Sequence, residues 1–130
     1  MLRIRKYLFQ YKFSLLLALI IAFLSLMPGE SIPKTRIFDF SFMDKLVHLG
    51  MYASFSFVGL WESRFPSPWL KRAFPLLFLF LGFSGIIEII QGTLTDSRAA
   101  ELADFAANAT GIGLGCLAHF LLFRRFRIKA

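Results

Sequence analysis

The apolar positions of this chain are gathered into four long blocks and do not follow amphipathic spacing. The first block, Phe13–Met27, reads FSLLLALIIAFLSLM; carried back to Leu8, it reaches the roughly 20 residues that a membrane-spanning helix needs. Lys12 then lies near its start, where the side chain can snorkel to the interface, and Pro28-Gly29 ends it. The second block, Leu46–Trp61, carries His48 and Tyr52. The third, Ala73–Gln91, encloses Glu88, and the fourth, Phe105–Phe123, encloses Asn108 and His119. The pattern predicts an all-α polytopic membrane protein. Its expected form is a compact bundle of four transmembrane helices over about 8–27, 44–61, 73–91 and 104–123, in one domain spanning 1–130. The RIRK stretch before the first block also suits a signal peptide. The SLMPGES that follows offers no small-x-small cleavage site, so an uncleaved first span is expected.

Within these blocks the polar residues keep helical spacing. Asp44, His48 and Tyr52 stand at i, i+4 and i+8, one stripe running about 12 Å along a helix at 1.5 Å per residue. Glu88 and Gln91 are three apart and Asp104 and Asn108 are four apart, so each pair shares a face. Arg98 and Glu101 lie in the intervening loop. Four alternating spans bring all of these residues to one side of the membrane. Ionisable groups near hydrocarbon are costly, so their faces should turn into the bundle and mark a functional site. Lys45 is about 100° round the helix from Asp44, and spacing leaves its place open. A second stripe of small residues, Ala103, Ala107, Gly111 and Gly115, includes a GxxxG and is read first as packing within the chain.

Composition supports the membrane reading: the chain is 57% hydrophobic with 17 Phe and has a mean hydropathy of +0.65. The formal charge of +7 would suggest nucleic acid in a soluble protein. Here the basic residues flank apolar blocks, so topology accounts for them and no nucleic-acid partner is expected. Arg3, Arg5, Lys6, Lys12, Arg64, Lys71, Arg72, Arg124, Arg125, Arg127 and Lys129 fall on one side, eleven of the fifteen Lys and Arg residues. Lys34, Arg36, Lys45 and Arg98 fall on the other. Both termini are therefore expected in the cytoplasm, with the polar cluster facing outward. The single Cys116 excludes an intramolecular disulfide.

The ordered set of polar residues resembles the VanZ-like family of small multi-pass membrane proteins. The carriers are Asp44-Lys45-x-x-His48-x-x-x-Tyr52, Glu88-x-x-Gln91, Arg98, and Asp104-x-x-x-Asn108-x-x-Gly111-x-x-x-Gly115, which together cover 44–115. The resemblance implies a protein of the bacterial cytoplasmic (inner) membrane and the cell envelope. The family's founding member is associated with antibiotic resistance, to the glycopeptide teicoplanin.

The candidate ligand-binding residues are Asp44, Lys45, His48, Tyr52, Glu88, Gln91, Arg98, Asp104 and Asn108. Arg98 offers a planar fork and Lys45 a point charge for phosphate or carboxylate. The expected partner is a membrane lipid with an anionic headgroup, a lipid-linked cell-wall precursor or a glycopeptide. A membrane-embedded enzyme is an alternative, with His48 as general base oriented by Asp44 or Glu88 and Arg98 stabilising an oxyanion. Its catalytic candidates are His48, Glu88, Arg98 and Asp104, and no nucleophile stands out among Ser54, Ser56, Thr95, Ser97 and Cys116. The other alternative is that the cluster only ties helices together, at about 1 kcal/mol or less per hydrogen bond. Asp44, His48, Glu88 and Asp104 form no compact ligand motif, so neither metal nor other cofactor is expected. The sequence leaves the oligomeric state open.

Overall fold

The computed structural model describes residues 2–27, 41–63, 68–94 and 102–127. These form five helices: α1 (Leu2–Gln10), α2 (Lys12–Leu26), α3 (Ser41–Glu62), α4 (Trp69–Leu94) and α5 (Leu102–Arg127). Among the described residues there is no strand.

The expected helix over 8–27 is divided at Tyr11, where α1 meets α2 at 70°. The cause lies in α3. The first backbone N–H groups of a helix have no partner within it, and Tyr11, which precedes α2, provides no side-chain cap. The buried Glu62 carboxylate supplies it instead: Oε1 accepts from Phe13 N at 2.9 Å, and Oε2 accepts from Ser14 N at 2.9 Å and Ser14 Oγ at 2.6 Å. A carboxylate here also opposes the positive end of the helix dipole. In return, Gln10 Nε2 donates to the Glu62 carbonyl (3.1 Å) and Arg72 to the Ser63 carbonyl (2.7 Å), covering carbonyls that the end of α3 leaves open.

The contacts fix the helix directions. Glu62 at the end of α3 meets the start of α2, so these two run antiparallel. Trp69 meets His119 while Ser84 and Glu88 meet Asn108, so α4 and α5 are antiparallel. Helices α3 and α5 run parallel and share the most extensive contact in the fold. Glycine permits it: a β-carbon on Gly111 would strike the Leu49 carbonyl, and one on Gly115 would strike the Ala53 carbonyl and Ser56 Oγ. The small-residue stripe thus packs against α3 of the same chain. Between the ends of the bundle lies an aromatic layer, with ring centroids 4.5 Å apart for Phe55–Phe80, 5.5 Å for Phe55–Phe83 and 6.5 Å for Tyr52–Phe83.

The outer surface is apolar and much of the interior is polar. Phe74, Phe78, Leu79, Ile86 and Ile89 of α4, and Leu117, Leu121 and Leu122 of α5, are exposed, whereas Ser56, Ser84, Glu88, Gln91 and Asn108 are buried. An apolar surface of this extent is unfavourable in water and suits lipid. By length and composition α4 and Leu102–Phe123 of α5 can each cross a membrane, and the bent α1–α2 pair is a third candidate. Helix α3 is not among these candidates; Asp44, Lys45 and His48 crowd its first turns.

Candidate functional site

At the end of the bundle where α3 and α5 begin and α4 ends, Asn108 joins three helices. It is fully buried. Its Nδ2 donates to Ser84 Oγ (2.9 Å) and to Glu88 Oε1 (3.0 Å), both on α4. Its Oδ1 stands 3.0 Å from His48 Nδ1 on α3. An amide oxygen only accepts, so Nδ1 of His48 carries the hydrogen and donates it to Asn108. In the neutral ring that leaves Nε2 as the basic nitrogen, and Nε2 lies 4.0 Å from Asp44 Oδ1. The imidazole is thus held from below by an amide whose own orientation is set by Glu88 and Ser84.

The rim is more exposed. The Asp44 side chain keeps 44% of its surface accessible and Lys45 28%. Lys45 Nζ reaches across the α3–α5 seam to Asp104 Oδ1 at 3.6 Å. This places Lys45 within the cluster, a point that helical spacing left open. It follows from the close α3–α5 approach at Gly111 and Gly115, which brings a long side chain within reach of its neighbour.

Among the described residues Glu88 Oε2 is buried with no hydrogen-bond partner, and Asp104 Oδ1 has no partner closer than the Lys45 ammonium at 3.6 Å. The Tyr52 hydroxyl approaches Ser84 without forming a well-aligned hydrogen bond. A buried polar group without a partner costs about 1–3 kcal/mol, so Glu88 Oε2 makes this end of the bundle receptive to a ligand bearing N–H or O–H groups.

Seven of the expected site residues, Asp44, Lys45, His48, Tyr52, Glu88, Asp104 and Asn108, therefore meet at this end. Gln91 points elsewhere: its Nε2 donates to the Ser25 carbonyl and ties α4 to α2. Arg98, Glu101, Thr95 and Ser97 lie outside the described residues. Ser54 donates to the Gly50 carbonyl of its own helix, and Ser56 to the carbonyls of Ala53 and Ile112. Cys116 is buried in the apolar core. His119 accepts from Trp69 Nε1 at 3.2 Å and stacks on Phe123, at the far end of the bundle. Among the described residues no group of three His, Cys, Asp or Glu side chains is placed to hold a metal ion.

Ser84 and Glu62 are among the buried polar residues that escaped the sequence reading. Ser84 is one turn before Glu88 on the same face, and that i, i+4 relation is the signal that could have found it. Glu62 sits at the end of an apolar block, where a charge reads as an ordinary interfacial residue.

Comparison of the chain with protein-family models, with curated proteins and with solved structures finds no match. The likeness to VanZ-like proteins rests on the motif residues alone.

Proposed function

We propose that the chain is a VanZ-like integral membrane protein of the bacterial cytoplasmic membrane that binds a lipid-borne headgroup. In this reading α2, α3, α4 and α5 are four spans, both termini are cytoplasmic, and the polar cluster faces outward. Its ligand is an anionic lipid headgroup, a lipid-linked cell-wall precursor or a glycopeptide. The observation that carries the proposal is a partly exposed cation, Lys45, ion-paired with Asp104 at the same end of the bundle as the unpartnered Glu88 Oε2. Within the cluster the carboxylates Asp44, Glu88 and Asp104 outnumber the one described lysine, Lys45, so a bare anion is a poor match. A headgroup carrying both a phosphate or carboxylate and hydroxyl or amine donors fits the set. Lys45 then turns from Asp104 to the anion, and the Asp104 and Glu88 carboxylate oxygens meet the donors. Arg98, which lies outside the described residues, is the second cation this reading calls on.

The test has two parts. A topology reporter fused after Ala130 should report cytoplasm; a periplasmic signal there overturns the four-span orientation. Purified protein incubated with labelled phospholipids and lipid-linked precursors should retain one class, and the Lys45→Ala variant should retain less. Equal retention by both proteins would sink the headgroup site.

A second reading has one specific observation in its favour. His48 is anchored through Nδ1 and presents Nε2 toward Asp44 at the rim, the arrangement of a general base acting on a lipid-linked substrate. Product formed from the labelled precursors, and lost in His48→Gln, would favour this enzyme reading. Retention without product favours the binding site. A purely structural cluster predicts neither.

A further inference from the structure

The end of the bundle opposite the polar cluster contains a wedge that the 70° bend creates. Helix α1 turns away from α2 and leaves a cavity of about 300 Å³ between the elbow, α3 and α4. Tyr7, Tyr11, Leu15, Ala18, Leu79 and Phe80 form much of its wall. The volume falls at the lower end of the roughly 300–1,000 Å³ range of ligand sites. Its wall offers little to a polar ligand, because Ser14 Oγ is already committed to Glu62. A hydrocarbon chain is what such a wall accepts.

The rim of the wedge identifies what that chain is attached to. Helix α1 carries Arg3, Arg5 and Lys6 among Ile4, Tyr7, Leu8 and Phe9, a composition too charged to sit in hydrocarbon and suited to lying along the interface. Arg3 stands one turn before Tyr7 on the same face of α1, and Tyr7 lines the wedge. Lys12, at the elbow, sits 4.9 Å over the rings of Phe9 and Phe13. Residues 1–26 hold no Asp or Glu. The nearest carboxylate in the described elbow contacts, Glu62, is buried and occupied with the start of α2. The rim is therefore cationic, and at this depth it faces the headgroups of the leaflet on the N-terminal side.

We propose that the wedge between α1, α2 and α4 holds one acyl chain of an anionic phospholipid, whose phosphate is met by Arg3 and its basic neighbours on α1. This site lies at the other end of the described bundle from the polar cluster and does not depend on the headgroup reading given to that cluster.

Protein released from bilayers of equal parts phosphatidylglycerol and phosphatidylcholine, and weighed intact by native mass spectrometry, tests the assignment. Wild-type protein should retain phosphatidylglycerol in preference to phosphatidylcholine, by about fivefold for each basic residue engaged. Replacing Arg3, Arg5 and Lys6 together by Gln should abolish the preference. Ala18→Phe, which fills the wedge, should lower retention of both lipids. Leu79→Trp, a change at an exposed position of the wall, gives the same reading if Ala18→Phe fails to fold. Equal retention of the two lipids by wild type overturns the proposal. So does undiminished phosphatidylglycerol in a folded wedge-filling variant, or retention of free fatty acid in place of phospholipid.

Discussion

Asn108→Ala is the most informative single change to the polar cluster. The wild-type side chain makes three interhelical hydrogen bonds, to His48, Ser84 and Glu88, and is fully buried. Interhelical hydrogen bonds in membrane proteins average about 0.6 kcal/mol, which puts the loss of three at about 2 kcal/mol. Truncation also strands Glu88 Oε1 beside the already unpartnered Oε2 and leaves a void, so about 2–4 kcal/mol is the expected cost. Asn108→Asp should cost more. It replaces the amide donor 3.0 Å from Glu88 Oε1 with a second carboxylate oxygen, and acidification should return part of the loss as one of the two carboxyls takes a proton. Both Trp61 and Trp69 serve as probes for reversible unfolding in mixed detergent–SDS micelles. If Asn108→Ala lies within 0.5 kcal/mol of wild type, below even one average bond, the bonds drawn through Asn108 are not what holds α3, α4 and α5 at this end.

Three further outcomes follow from the packing. Gly111→Ala should destabilise by about 1–3 kcal/mol, because the added methyl meets the Leu49 backbone carbonyl, whereas Gly113→Ala, which meets nothing, should be neutral or stabilising; the same unfolding assay reads both. Glu62→Gln keeps the size of the side chain but turns one acceptor oxygen into an amide donor facing its neighbours. It should cost about 1.5–3 kcal/mol and loosen the α1–α2 elbow, seen as a broadened distance between spin labels at Ile4 and Ile20. Lys45→Ala should change stability by less than about 1 kcal/mol, since its ion pair with Asp104 is partly exposed, so any larger loss of lipid retention reports on binding.

What could be read from the sequence was what short-range periodicity encodes. Asp44, His48 and Tyr52 on one stripe, and Asp104 and Asn108 on another, needed only the helical repeat, and the structure sets them against each other. The break at Tyr11 was not legible, because its cause is a carboxylate about fifty residues away that captures the start of α2. Ser84 was hidden because a small hydroxyl inside an apolar block carries little weight in a hydropathy pattern, although its spacing from Glu88 marks it. Lys45 was undecided because helix phase says where a residue starts and not how far a four-carbon stem reaches. The direction of Gln91 was missed for a related reason: it shares a face with Glu88, but one turn further on that face meets α2.

The two polar ends should be energetically independent. Glu62 and His48 are fourteen residues apart on one helix, about 21 Å at 1.5 Å per residue. At that separation, with no shared partner, the costs of Glu62→Gln and Asn108→Ala should add to within about 0.3–0.5 kcal/mol in the double variant. Besides the backbone of α3 itself, the aromatic layer lies between them. Tyr52 reaches toward Ser84 at one end, and Phe55 and Phe80 line the apolar wedge at the other. Rings packed at 4.5–6.5 Å transmit a perturbation only if the layer has a second arrangement to adopt. A coupling above about 1 kcal/mol in the cycle would therefore refute independence. It would show that the layer has two packings, and that filling the wedge with lipid shifts the balance at His48.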